Sequence, residues 1–195
     1  MGQTNVTEIF QSAIATLQIF LRPDALEALT EAICNVAVAT EVKFSLVVSQ
    51  RKVTVDSASP AAQLGTCTLP SILTMMESIL QEEDSLQKCL EHLAHAAGTC
   101  PSLLAGDLNV FLALVGTSLK LATTCSELAL PALQVLASLC AVGFVKRHIL
   151  TTNAPMQSLI LGDVLRVCAE LCVNGVDDDV AEWASEPATI MVRHG

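Results

Sequence analysis

The feature that most constrains the fold is the spacing of the apolar residues, which recur every three or four positions along most of the chain. The first stripe contains Phe10, Ile14 and Leu17, and Arg22-Pro23-Asp24 then interrupts it. Further stripes follow between residues 26 and 36 and between residues 69 and 171. Such a spacing places apolar side chains on one face of an α-helix, so the sequence predicts an all-α fold of amphipathic helices.

Residues 41–67 depart from this pattern, because they are rich in β-branched residues and end in a segment typical of a loop. A hairpin, an extended arm and a frayed helix all fit this composition. Lys43, Arg51 and Lys52 also make it the most basic part of the chain. We predict an irregular insertion at 41–67.

Helix boundaries are predicted from residues that start or stop helices. Pro70 is expected at the start of one helix, and Asp84 is expected to cap the next. Asn174-Gly175 resembles a C-terminal cap. We therefore predict that residues 173–195 form an acidic tail or loop.

Corresponding helices recur at a nearly constant interval, with 39 residues from Leu69 to Leu108 and 42 from Leu86 to Leu128. HEAT and armadillo repeats have periods of about 40 to 47 residues. We predict that residues 1–195 form one HEAT/armadillo-type α-α superhelix of three to four helical hairpins. Stacked hairpins of this kind present an extended surface to partners.

The composition favours a protein-binding role. Apolar residues make up 52% and aromatic residues 3%, which is typical of packed helices. The net charge of −10 disfavours direct binding of nucleic acid and favours basic partners.

The uncharged run from Leu128 to Val145 is interrupted by Pro131, so we expect a buried helix and not a membrane span. Residues 1–11 do not resemble a secretory signal, and an intracellular location is expected.

The cysteines are interpreted as reduced core residues, because Cys34, Cys89, Cys140 and Cys168 fall on apolar helix faces. Cys172 lies one turn from Cys168, and both are expected to serve packing since they lack CxxC spacing.

A metal site is not expected, although Cys89, His92, His95 and Cys100 lie close in sequence. His95 is rotated away from the face shared by positions 89 and 92, and Cys100 lies beyond the helix end. The chain also lacks a nucleophile elbow or phosphate loop. We predict a protein that is not an enzyme and has no cofactor.

The sharpest candidate for a binding site is an acidic strip near the C-terminus. Its carboxylates would attract Lys- and Arg-rich segments, and its tryptophan would stack on their stems. The alternative is a solvated tail, because runs of charge usually only solvate. The strip comprises Asp177, Asp178, Asp179, Glu182, Trp183 and Glu186.

From Leu69 onward the chain resembles the karyopherin-β (importin-β) superfamily of nuclear transport receptors. The resemblance rests on the order and spacing of short segments at 69–73, 85–91, 97–104, 118–121, 130–135, 146–148 and 176–183. It is weak over residues 1–67, and the family's Ran-binding repeats are not visible.

The resemblance implies a central HEAT-repeat fragment of an import receptor, found in cytoplasm and nucleus. Its implied partners are basic cargo proteins with import signals, the Ran GTPase through the full-length receptor, and nucleoporins. An alternative is a HEAT-repeat scaffold subunit of a phosphatase or chromatin complex.

Overall fold

The computed structural model describes residues 5–51, 59–105, 107–141, 154–174 and 178–194. Within these ranges the chain forms nine α-helices and no strand, which confirms the all-α prediction. The helices are α1 (Val6–Ile19), α2 (Pro23–Arg51), α3 (Pro60–Ser78), α4 (Glu83–Thr99), α5 (Pro101–Ala105), α6 (Leu108–Thr124), α7 (Ser126–Ala141), α8 (Ala154–Asn174) and α9 (Asp178–His194).

Several helices begin at side chains that accept hydrogen bonds from otherwise unpaired backbone N–H groups. The hydroxyl of Ser59 accepts from the N–H of Ala62 at 3.1 Å, directly before Pro60. The carboxylate of Asp107 accepts from the N–H of Asn109 at 2.8 Å and so caps α6. These caps explain where α3 and α6 start.

The prediction of an irregular insertion at 41–67 is wrong for most of its length. α2 continues to Arg51, and α3 begins at Pro60. Residues 52–58 lie outside the described residues. The β-branched residues misled the prediction because they lower helix propensity by only a few tenths of a kcal/mol each, roughly, relative to Leu.

Two predicted helix starts are also wrong. Pro70 lies inside α3, where it is exposed between the buried Leu69 and Ile72. Asp84 lies in the first turn of α4, whose N-cap is Glu82 and has no side-chain capping bond. The true start of α3 carries a stronger signal, since Ser59-Pro60 combines a cap with a proline at the first helical position.

The predicted acidic tail at 173–195 is a helix over most of its length. α8 extends to Asn174 and α9 covers Asp178–His194. Val180 and Ala184 are buried and turn one face of α9 toward the core. The prediction missed α9 because its stripe is short and consists of small residues.

The longer helices contact one another in two rows. In the first row α3 contacts α1 and α6, and α6 contacts α8. In the second row α4 contacts α2 and α7, and α7 contacts α9. The short helix α5 packs against α3, α4 and α6. This repeat-like order is compatible with a helical solenoid.

The core runs through both rows and consists mainly of leucine and alanine. Cys34, Cys89 and Cys168 are buried within it, as the sequence predicts. The side chain of Cys140 lies outside the described residues.

Gly65 lies at a close approach between two helices. A Cβ atom built on this residue of α3 would lie 1.9 Å from the carbonyl oxygen of Leu103 in α5. A backbone atom cannot rotate away as a side chain does. α3 and α5 can therefore pack in this way only if residue 65 has no side chain.

Substitution Gly65→Ala is expected to destabilise the fold by about 3 kcal/mol, the upper range for overpacking. The matched control is Gly98→Ala, because a Cβ at Gly98 meets nothing within 4 Å. Alanine there is expected to be neutral or to stabilise the helix by up to about 1 kcal/mol. Urea unfolding measures both variants, and equal midpoints would contradict the close contact between α3 and α5.

Candidate protein-binding surface

The acidic strip predicted from the sequence lies in part at the start of α9. Asp178 and Asp179 form its first turn and are exposed, and Glu182 is exposed one turn later. Asp177 and the side chain of Glu186 lie outside the described residues. Three carboxylates of the strip thus share one helix end.

Trp183 is not a free platform at the surface. Its side chain is half-buried and packs against the core beside the buried Ala184. Part of the indole therefore serves packing, and only its exposed remainder is available to a partner.

Two side-chain contacts show how the second row is aligned. The ammonium of Lys88 in α4 lies 3.2 Å from a carboxylate oxygen of Glu27 in α2, and both residues lie in the second turn of their helices. The thiol of Cys125, directly before α7, donates to Oε1 of Glu83 at the start of α4 at 2.9 Å. The amino-terminal ends of α2, α4 and α7 are therefore neighbours.

Carboxylates line this alignment of helix ends. We call the set the acidic edge. It consists of Asp24 and Glu27 of α2, Glu83 and Asp84 of α4, and Glu127 of α7.

The acidic edge is dense enough for its groups to perturb one another. The neighbouring carboxylate of Glu83 raises the pKa of Glu127, because it accepts a hydrogen bond from the protonated form of Glu127 and its negative charge disfavours ionisation. Hydrogen bonds from Cys125 and Glu127 lower the pKa of Glu83. As pH falls, Glu127 therefore takes up a proton before an ordinary glutamate does, and the edge loses charge.

The first row is electrostatically different. Glu77 of α3 forms an ion pair with Lys120 of α6 and accepts a hydrogen bond from Thr117 at 2.9 Å. On α8, Arg166 pairs with Asp163 at 3.4 Å and with Glu170 at 3.2 Å. Lys120 and Arg166 thus offset part of the negative charge of this row.

On the acidic edge, Asp24 pairs with Arg22, directly before α2, at 2.6 Å, and Glu27 pairs with Lys88. No other cation among the described side chains lies within ion-pair distance of this edge.

Helix stability explains part of this pattern without a partner. Carboxylates in the first turn interact favourably with the helix dipole, at about 0.3 to 1 kcal/mol each. The helix dipole does not, however, explain why more of them collect on the second row than on the first. Sequence reasoning did not join Glu83 and Asp84 with Glu127 into one surface because Glu127 lies more than 40 positions further along the chain. The sequence feature that could have identified them is their shared position in the first turns of α4 and α7, both helices of the second row.

The buried cysteines are poor nucleophiles. Burial raises the pKa of Cys34 to about 12 and those of Cys89 and Cys168 to about 11. Cys172, by contrast, is exposed, contrary to its predicted packing role. Among the residues that the structure describes, no three of His, Cys, Asp and Glu are placed to hold a metal ion.

Thiol modification of the native protein is expected to distinguish these groups. The exposed Cys67 and Cys172 should react with a maleimide first, because the thiolate is the reactive form and burial suppresses it at Cys34, Cys89 and Cys168. Peptide mass spectrometry after timed labelling identifies the sites, and the buried thiols should react only after denaturation. Labelling of Cys34 in the native state as fast as Cys172 would contradict the placement of α2.

No helix in the described part of the chain is long and apolar enough to cross a membrane. Comparison with protein-family models, with curated proteins and with solved structures gives no match.

Proposed function

We propose that this chain is a protein-binding segment of a HEAT-type helical solenoid, and that its second row holds a basic segment of a partner protein. The observation that carries the proposal is the asymmetry of charge between the rows. Carboxylates outnumber cations on the described part of the second row, where Asp24 and Glu27 are paired with Arg22 and Lys88 but Glu83, Asp84 and Glu127 are not paired with a cation. The carboxylates of α3 and α8 are paired with Lys120 and Arg166.

A solenoid suits this role because each helix pair adds one step to a continuous surface. The acidic edge extends over α2, α4 and α7, and the strip on α9 continues the row, since α9 packs against α7. A basic segment lying across the row would meet carboxylates on each helix in turn. Attraction of this kind mainly speeds association and weakens as salt is added.

The sequence resemblance gives this function a biological setting. We propose that the partner is an import signal of a cargo protein and that the chain belongs to a nuclear import receptor. Release by Ran in its GTP form and contacts with nucleoporins are then properties of the longer receptor. The acidic surface supports the choice of a basic cargo. The proposed roles of Ran and of nucleoporins rest on the sequence resemblance alone.

Replacing three residues of the acidic edge should weaken binding of a lysine-rich peptide. We expect the combined variant Glu83→Gln, Asp84→Asn, Glu127→Gln to lose roughly tenfold in affinity at low salt, because exposed pairs contribute about 0 to 1 kcal/mol each. Stopped-flow fluorescence with a labelled peptide should show most of the loss in the association rate.

The control variant Glu77→Gln, Asp163→Asn, Glu170→Gln removes the same number of charges from the first row and should bind nearly as the wild type does. Wild-type affinity should also fall as pH drops into the range where Glu127 is protonated. Equal losses in the two triple variants would show that only the net charge matters and that the second row is no binding surface.

The nuclear-import proposal has a separate test. A receptor containing this segment should capture a protein with a basic import signal, and addition of Ran bound to GTP should release it while Ran bound to GDP should not. Pull-down with purified proteins measures this. Cargo that stays bound in the presence of either form would contradict the import role and leave the basic-segment binding intact.

A further inference from the structure

The grooves between neighbouring helices of the second row carry different charges. In the groove between α2 and α4, the ammonium of Lys88 lies 3.2 Å from Oε1 of Glu27 and 3.3 Å from Oε2. The side chain of Glu27 is only 24% exposed, so this contact is partly shielded from water and salt. The groove between α2 and α4 thus already holds an ammonium, which the chain itself supplies.

The next groove, between α4 and α7, holds two carboxylates that no described cation pairs with. Glu83 and Glu127 lie in the first turns of these helices, and each perturbs the ionisation of the other. The thiol of Cys125 donates to Oε1 of Glu83 at 2.9 Å, but a thiol is a weak donor and brings no positive charge. Neighbouring carboxylates disfavour each other's ionisation, and a cation between them removes that cost.

We propose that the groove between α4 and α7 is a subsite for one lysine ammonium of a basic partner, held between Glu83 and Glu127. We call it the α4–α7 subsite. Lys88 in the preceding groove shows how an ammonium can lie between the starts of two second-row helices. The subsite presupposes the proposed function, because the second row must first receive a basic segment. Within that function, it fixes where one cation of the segment binds.

The arrangement favours lysine over arginine at this position. An ammonium has three diverging N–H donors and can contact carboxylates that come from two helices, whereas the planar guanidinium matches a single carboxylate best. The charge of Asp84 also raises the pKa of Glu127, so a third carboxylate lies close to the same point. A compact charge among three carboxylates is the arrangement that an ammonium fits.

Lys88 limits how much of the acidic edge is open to a partner. Because its ammonium already contacts Glu27, a partner's cation can bind in the groove between α2 and α4 only by displacing it. Asp24 is likewise paired with Arg22. The α4–α7 subsite should therefore contribute more to binding than the part of the edge on α2.

Two peptides of equal length test the subsite, one with four lysines and one with four arginines at the same positions. Fluorescence anisotropy at low salt should show that the wild type binds the lysine peptide about fivefold more tightly than the arginine peptide. Glu127→Gln should weaken binding of the lysine peptide about fivefold and remove its advantage. The control Glu91→Gln removes the same charge from an exposed position further along α4 and should change the affinity less than about twofold.

Two lysine variants test the comparison of the two grooves. Lys88→Gln should raise the affinity for the lysine peptide about fivefold, because the groove between α2 and α4 then becomes free. Lys120→Gln removes a cation that is paired with Glu77 in the first row, and it should raise the affinity less than about twofold. Equal gains in the two variants would show that Lys88 acts only through the net charge, and would overturn the inference.

The subsite and the proposed function can fail separately. Equal losses in Glu127→Gln and Glu91→Gln, or an arginine peptide that binds at least as tightly as the lysine peptide, would overturn the subsite. The proposed function would survive those results if the triple variant of the acidic edge still lost more affinity than its first-row control. A wild type that binds neither peptide would contradict both.

Discussion

Each long helix of this protein depends on burial of its apolar stripe against its row neighbours. α4 illustrates the constraint, since Leu86, Leu90 and Leu93 are fully buried and α4 contacts both α2 and α7. Removing such leucines from water stabilises the fold by about 1.5 to 3 kcal/mol each. An isolated hairpin could not bury its stripe, so each helix pair depends on its neighbours for stability.

The surface chemistry follows from this packing. Parallel neighbours place the first turns of α2, α4 and α7 side by side, and residues that suit a helix start thereby become neighbours in space. Glu83 and Glu127 are 44 positions apart in sequence, and yet Glu83 lies close enough to raise the pKa of Glu127. Carboxylates that individually stabilise a helix end thus become, collectively, a charged surface that a partner can recognise.

The sequence predicted which helices form better than it predicted where each helix begins and ends. α1 and α8 were foreseen because their stripes are long and include large residues such as Phe10 and Leu171, whose positions define a period. α9 was missed because its buried residues, Val180 and Ala184, are small and only one turn apart, which does not define a period. The extension of α2 to Arg51 was missed because β-branched residues disfavour a helix only weakly. The helix continues through them in spite of their local preference for strands. The acidic strip was found as a run in sequence, whereas the acidic edge required the alignment of separate helices.

The acidic surface depends on the arrangement of the helices in two rows. Pulsed electron spin resonance between labels at the middle of the second-row helices tests it directly, with Cys67 and Cys172 replaced by serine. Helices pack 8 to 10 Å apart, so a label at Glu31 of α2 should lie about 20 Å from one at Gln134 of α7 and about 30 Å from one at Ser185 of α9. Distances that grow along the row in this way support the account. Equal distances for the two pairs would contradict the account, because they would show that the helices close into a bundle that has neither a second row nor an acidic edge.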